Sequence, residues 1–570
     1  MEFKELAKYI EEIELTSSRN KITELLSSLF KKLSESEIKE TIFLLQGRLV
    51  PLYESKEFGM AEKLIVNSAI DTFKIEKDKF NLELQRIGDI GSTVESFKKT
   101  NLLKDEHLSI SEVFKQLTIL ADSSGKGSQD TKIKILSNLI SKLDPLSTRY
   151  LVRIPINTLR LGFSDMTILD SLSWMIKGDK SLRPLLQHSY HVKPNLGNIA
   201  SILKGKNGID KLKKMDPEIF TPIIMMRAER MSSGEEIIKK IGICAIEPKY
   251  DGFRLQIHKQ RNIVKMYSRN LDDVSHMYPD IVEGISKQIK DNSLIIEGEA
   301  IGFNPKTGEY LSFQDTVQRK RKYDIESMKK TIPLRLFVFD LLYLDGESYI
   351  NQEFDIRRKK LEEILKIKTK NDCIRLAPQT IERSGIEIEK KFDEAVSDNL
   401  EGIIAKKTTG IYKPGAREWN WIKFKKSYSS KIDDTIDCLI MGYDFGKGKR
   451  TKFGIGAFLA GIYDNKNDVY LTVAKIGTGL TDEEWIELKK RSNKNIIKEK
   501  PKSYSINDQI KCDVWIKPSI VVEIKADEIT KSPLHSSGLA LRFPRLERFR
   551  DDKSPADTTS LDELKKLYIL

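Results

Sequence analysis

Glu247-Pro248-Lys249-Tyr250-Asp251-Gly252-Phe253-Arg254 stands directly after an apolar run, Ile241, Ile243, Ala245 and Ile246, that reads as a buried strand. Pro248 and Gly252 punctuate the stretch, so Lys249 is expected at or near a strand end, facing a cleft. A lysine is ordinarily a solvated surface group. Here a carboxylate, Asp251, follows two residues later and an arginine, Arg254, five residues later. An amine at such a place becomes a nucleophile only when it loses its proton. Free lysine holds that proton up to a pKa of about 10.4, so nearby positive charge or burial must loosen it. Arginine could not substitute, because it stays protonated.

Outward from this point the partners of such an amine recur in order. Tyr267-Ser268-Arg269-Asn270 ends a strand with an arginine. Glu297-Gly298-Glu299 closes an apolar strand with carboxylates. Leu336 to Asp340 is a strand carrying Phe339, an aromatic able to stack on a base. Leu400-Glu401-Gly402-Ile403 sets a carboxylate against a glycine turn. Trp421-Ile422-Lys423-Phe424-Lys425 alternates apolar with basic, which places both lysines on one side of a strand. Each alone has an ordinary structural explanation; their succession is the specific signal. Near the C-terminus Leu541-Arg542-Phe543-Pro544-Arg545 is followed by Arg548, Arg550, Asp552 and Lys553.

The 570 residues set a prior of about three or four domains. A composition of 39% hydrophobic and 32% charged residues suffices for real cores, and the formal net charge of +13 favours a polyanionic partner. Cys244, Cys373, Cys438 and Cys512 form no C-x-x-C pair, which argues against a structural zinc site and a disulfide scaffold. The N-terminus has no signal-peptide pattern, and no apolar run approaches the roughly 18 residues that span a bilayer, so the expectation is a cytoplasmic protein with no membrane association.

Residues 1–240 read as helical. Ile22, Leu25, Leu26, Leu29, Phe30 and Leu33 form one helix face, Ser109 and Glu112 have capping-box spacing, and Ile133, Leu136, Leu139, Ile140 and Leu143 give another face that Pro145 should stop. Four turns, at 46–49, 86–91, 125–128 and 160–165, set glycine or serine beside basic or polar groups near helix starts, a pattern suited to phosphate. Residues 241–430 alternate strands and helices as an α+β domain. Residues 431–570 show short strands with one helix, Thr481 to Arg491, suggesting a small barrel, and the loop Gly446 to Arg450 is glycine-rich and basic.

K-Y-D-G-F-R resembles the K-x-D-G-x-R signature of the covalent nucleotidyltransferase superfamily, which holds DNA ligases, RNA ligases and mRNA capping enzymes. The succession after it is similar to that family's motifs III, IIIa, IV and V, and the C-terminal R-x-P-R then R-x-D-K to its motif VI. The helical region before Lys249 and the compact length resemble archaeal ATP-dependent DNA ligases. The resemblance implies a helical DNA-binding domain, an adenylation core and a β OB-fold domain. It implies sealing of nicked duplex DNA, in replication, repair and recombination, with ATP and Mg²⁺ through a lysyl–AMP intermediate. Lys249 is then the nucleophile. Glu247, Arg254, Arg269, Glu299, Phe339, Arg417, Lys423 and Lys425 bind the nucleotide, with Glu299 and Glu401 at the metal. Motif VI would orient the pyrophosphate. A monomer and a sliding-clamp partner are further expectations, although no clamp-binding peptide stands out. An RNA ligase or capping-type enzyme is the alternative within the superfamily. An NAD⁺-dependent ligase lacks support because no four-cysteine module is present, and a non-catalytic DNA-binding scaffold is disfavoured by the full set of reactive residue types.

Overall fold

The computed structural model describes the chain except for positions 102, 160, 292, 312, 321–323, 366–371, 399, 426–434, 447–450, 452 and 570. It divides into two compact units, Met1–Phe424 and Lys425–Leu570.

The first unit begins with helices running from Phe3 to Lys213. Periodicity explains them: Ile22, Leu25, Leu26, Leu29, Phe30 and Leu33 are all buried in one apolar core shared by this region. Each such side chain contributes about 1.5–3 kcal/mol when fully buried. The Ser109–Glu112 capping box is present in both directions. Pro145 does more than stop the preceding helix. It is the first residue of the next, Pro145–Arg153, where Asp144 caps the free N–H groups of Leu146 and Ser147. At 86–91, glycine serves packing. A Cβ on Gly91 would lie 2.7 Å from the Arg149 carbonyl oxygen, and Asp89 is held by Arg153 at 2.6 Å.

Two sheets follow. The first has the order β1-β11-β10-β2-β9, with β1 Arg227–Arg230, β2 Cys244–Lys249, β9 Thr380–Glu382, β10 Gly402–Lys407 and β11 Arg417–Lys425. Helices Gly234–Ile241 and Gly385–Ser397 cover it through Ile237, Ile388 and Phe392, the last stacked on Phe424 at 4.0 Å. The second has the order β4-β3-β5-β6-β7, with β3 Phe253–Gln260, β4 Ile263–Ser268, β5 Ser293–Gly302, β6 Leu334–Leu344 and β7 Glu347–Ser348, while β8, Ile374–Leu376, runs parallel to β6. The sheet architecture therefore starts before residue 241: β1 and the helix Gly234–Ile241 belong to the first sheet, and Ile223 N–H donates to Gln256 of the second at 2.7 Å.

The K-Y-D-G-F-R stretch is the corner between the sheets: β2 ends at Lys249 and β3 starts at Phe253. Gly252 makes that corner tight, since a Cβ there would stand 2.2 Å from the Ala300 carbonyl oxygen of β5. Gly252→Ala is expected to cost about 1–3 kcal/mol by overpacking. It should also shift Lys249 at the end of β2; a thermal melt at the wild-type value would contradict this reading.

The second unit is β-rich. Ile436–Asp444, Ala457–Asp464 and Val469–Ile476 form an antiparallel meander, Val521–Lys525 pairs with the first of these, and Arg545–Phe549 pairs with Val521–Lys525. Helix Asp482–Asn493 has the Thr481–Glu484 capping box and sends Trp485 and Leu488 into the core. Lys447 to Arg450 of the expected phosphate loop lie outside the described residues.

Candidate active site

Three strand ends build the site. Lys249 closes β2. Gly402, opening β10, is its register partner, and the Glu401 N–H donates to the Lys249 carbonyl at 3.1 Å. The Lys249 ammonium is ion-paired with the Glu401 carboxylate. On β5, Glu299 pairs in register with Arg254 of β3 and Phe337 of β6.

Burial loosens the Lys249 proton, and the Arg269 charge acts in the same direction, while Glu299 and Asp251 oppose it. Glu401, in contact, also favours the ammonium, so the resting lysine is a clamped cation in a place that disfavours charge. Burial pushes the Glu299 carboxyl up to about 7, with Lys249, Arg254 and Arg269 pulling it back. Lys423 is lowered to about 8, by burial first and then by Arg230, Lys249, Arg417 and Arg269. These couplings set Arg230 on β1, Arg417 on β11 and Arg269, just after β4, near Lys423, and bring Lys423 and Arg269 near the Lys249 amine. Lys425 lies two residues beyond Lys423 on the same face of β11.

Arg254 is half-buried beside this group. It pairs with Glu297 at 2.5 Å, donates to the Met226 carbonyl at 2.7 Å, and lies over Phe339 and Trp421 at 5.3 and 5.1 Å. Its Nε has no partner among the described residues. Glu297 also accepts from Gln256 and from the Tyr412 hydroxyl at 3.0 Å each, so this arginine acts first as a brace, through one N–H of each terminal nitrogen.

Phe339 is half-buried, edge-on to Trp421 at 5.9 Å. Glu247, two residues before Lys249 on the same face of β2, is 3% exposed and pairs with Lys406 of β10 at 2.7 Å. Its Oε1 accepts no hydrogen bond from the described residues. Tyr250 forms a neighbouring wall, stacked on Phe337 at 4.2 Å.

Arg230, Lys406 and Arg358 are the residues here that sequence patterning missed. Arg230 pairs with Lys423 in parallel register across nearly two hundred residues, which no local signal reports. Lys406 sits in Ala405-Lys406-Lys407, indistinguishable from a surface run until β10 is known to be interior.

In the helical region, the turn at 46–49 meets residues 161–165 of the other expected turn, whose position 160 lies outside the described residues. Gln46 Nε2 donates to Asp165 at 2.8 Å, and Gln46, Arg48, Gly162 and Ser164 help line a polar cavity of about 260 Å³. In the second unit, Arg550 and Lys553 both bind Asp437, at 3.0 and 2.6 Å, while Arg545 binds Asp527 and Arg548 binds Glu523, each at 2.5 Å. No helix among the described residues is long and apolar enough to cross a membrane.

Family models match three stretches: "DNA ligase N terminus" over 2–173, "ATP dependent DNA ligase domain" over 225–425 and "ATP dependent DNA ligase C terminal region" over 451–553. The chain is 43% identical over 576 residues to a probable DNA ligase of Dictyoglomus thermophilum, covering 100% of this chain and 97% of that one. It is 38% identical over 592 residues to a DNA ligase of Sulfolobus acidocaldarius, covering 100% and 98%. Among solved structures, one titled Pmar-Lig_PreS3 matches 95% of this chain and 99% of its own with a TM-score of 0.56 at 18% identity, a likeness of fold. A helical N-terminal region, a nucleotidyltransferase core around an amine held among acids and cations, and a β-rich C-terminal unit thus come together in one chain, which belongs to the family of ATP-dependent DNA ligases.

Proposed function

We propose that Lys249 is the residue that carries AMP in this ligase. The observation behind this reading is the Lys249 amine itself: half-buried, with its proton loosened by burial and Arg269, and surrounded by Glu299, Glu401 and Lys423. The unprotonated Nζ lone pair attacks the α-phosphorus of ATP. The bond from that phosphorus to the bridging oxygen breaks, and pyrophosphate leaves. Lys423, Arg269 and Arg417 take up the charge that builds on the phosphoryl oxygens. AMP then passes to the 5′-phosphate of a nick, and the 3′-hydroxyl displaces it. Phe339 and the wall beside it take the base, Glu247 faces its edge, and Arg254 reaches the sugar or phosphate through N–H groups that Glu297 and the Met226 carbonyl leave over.

Glu299 and Glu401 fit magnesium as the nucleotide brings it in. The described residues hold no ready-made cluster of three or more metal-ligating side chains. Mg²⁺ commonly binds through one or two carboxylates plus substrate phosphates. When bound, the ion neutralises phosphate charge.

In the C-terminal unit the mix of short strands with the helix Asp482–Asn493 and a terminal helix, Leu561–Ile569, supports an OB-fold. Motif VI contacts to pyrophosphate fall first to Arg542, exposed at its strand end, and to Arg545 and Arg548, whose exposed ion pairs exchange at little cost. Arg550 and Lys553 are tied more deeply to Asp437. The polar cavity between the turns at 46–49 and 160–165 is a candidate contact for the duplex backbone.

The test is incubation with α-labelled ATP, then with a nicked duplex. Label is expected first on the protein and afterwards as AMP released with sealed DNA. Label taken from GTP in preference to ATP, or sealing of nicked RNA alone, would instead favour the RNA ligase or capping alternative.

A further inference from the structure

Glu247 presents an unusual carboxylate. It is 3% exposed, one oxygen is paired and the other is bare. A buried oxygen without a donor is costly, and a native structure keeps one only for a reason. Lys406 fixes which oxygen is left. It is 1% exposed, binds Glu247 Oε2 at 2.7 Å and donates to the Phe339 carbonyl at 3.1 Å. Its ammonium also lies over Phe339, Trp421 and Phe354, at 4.5, 4.7 and 4.9 Å. One buried cation therefore ties the strand that bears the nucleophile to the aromatic on which the base is read to stack. Arg358 Nη1 stands 4.0 Å from Oε1, beyond hydrogen-bond reach. Its Nη1 and Nε are engaged by the Ala377 carbonyl at 2.9 Å and by Glu362 at 2.7 Å. Two positive charges thus favour the carboxylate form of Glu247, against burial and the Asp340 charge, which favour the neutral acid, and they leave Oε1 without a hydrogen bond among the described residues.

We infer that Lys406, with Arg358, is a positioning residue for base selection: it holds Glu247 as an acceptor-only carboxylate whose Oε1 requires a donor on the purine edge. Adenine offers an amino group at position 6; guanine offers a carbonyl oxygen there, which would face the carboxylate lone pairs. This inference rests on the nucleotide-binding reading above and deepens it. Without the Lys406 charge a buried carboxyl in this place takes up a proton, because burial already pushes it up. A protonated Glu247 can donate as well as accept, and the ground for rejecting guanine is lost.

The experiment measures equilibrium binding of ATP and GTP to Lys249→Ala protein, in which no covalent step intervenes, with and without Lys406→Met. The Lys249→Ala background is expected to prefer ATP by at least about tenfold, and Lys406→Met to narrow that preference about tenfold, since a buried polar group left facing a mismatched partner is what rejects it. Lys406→Arg, which keeps the charge, should retain most of the preference. Glu247→Gln preserves the volume and adds a donor, so it should narrow the ratio even where Lys406→Met fails to fold. Equal weakening for both nucleotides in Lys406→Met, with the ratio untouched, would reduce Lys406 to a structural brace and overturn the inference. So would a background protein that binds GTP as tightly as ATP. Absence of label on Lys249 in the otherwise unaltered protein would sink the nucleophile reading alone, because the binding ratio does not depend on that bond.

Discussion

Lys249→Ala is expected to form no protein–AMP adduct from labelled ATP, with the adenylation rate falling about 10⁶-fold, the order lost when a covalent nucleophile is removed. Lys249→Arg should be equally inert, because a guanidinium does not surrender its proton. The structure predicts which steps survive. On the proposed reading Lys249 is needed to take AMP from ATP but not for attack by a 3′-hydroxyl on DNA that already carries AMP. Sealing of a pre-adenylated nick should therefore persist at a reduced rate, and nicked duplex should still bind. The reduction follows from Glu401, which loses its cation partner and is left as a part-buried carboxylate near the phosphate. An adduct that persisted in Lys249→Ala would place the nucleophile elsewhere. Loss of pre-adenylated sealing together with a collapsed melt would show that the lysine holds the β2 and β10 ends together more than it reacts.

What was legible beforehand divides along a physical line. Strand alternation and helix periodicity are local, so the helical N-terminal region, the strand ending at Lys249 and the β-rich C-terminal part could be read from side-chain spacing alone. Glu299, Phe339, Glu401 and Lys423 were legible as candidates because each stands at a strand end or in a short run whose residue types are chemically unusual together. Pairing between distant strands is not local. Arg230 reaches the site only because β1 runs parallel to β11, and Lys406 matters only because β10 is covered on both faces. Arg254 shows the converse: spacing points it toward a nucleotide, and only the folded chain shows that both of its terminal nitrogens also brace Glu297 and the Met226 carbonyl. Gly91 likewise read as a phosphate turn, yet its lack of a side chain admits the Arg149 carbonyl and the Arg153 side chain.

Adenylation should have a narrow pH optimum, and Lys423 should set its alkaline side. Glu299, raised to about 7, is protonated below that value and charged above it, so its share in holding ribose or metal grows as pH rises through about 7. Deprotonation of Lys249 adds to the same rising limb, since its proton is loosened from the ordinary lysine value. Lys423, lowered to about 8, is charged below that value and neutral above it, so its support for the phosphoryl oxygens fades as pH rises through about 8. Its charge also helps Lys249 to stay unprotonated, which makes the fall steeper than one lost contact. kcat/KM for adduct formation is therefore expected to climb through about 7 and decline beyond about 8, the two limbs belonging to the coupled set of groups. Lys423→Met should lose about 10²–10³-fold near neutrality, the order lost with one preorganised electrostatic contact, and should lack the alkaline limb. Lys423→Arg keeps a cation at every accessible pH, so it should lose less and push the alkaline limb upward; a limb unmoved in that variant would assign the descent to another group. Bound triphosphate strengthens Lys423's hold on its proton, so the same limb in kcat should lie at higher pH than in kcat/KM. An alkaline limb at the same position in both would mean that Lys423 does not touch the phosphates.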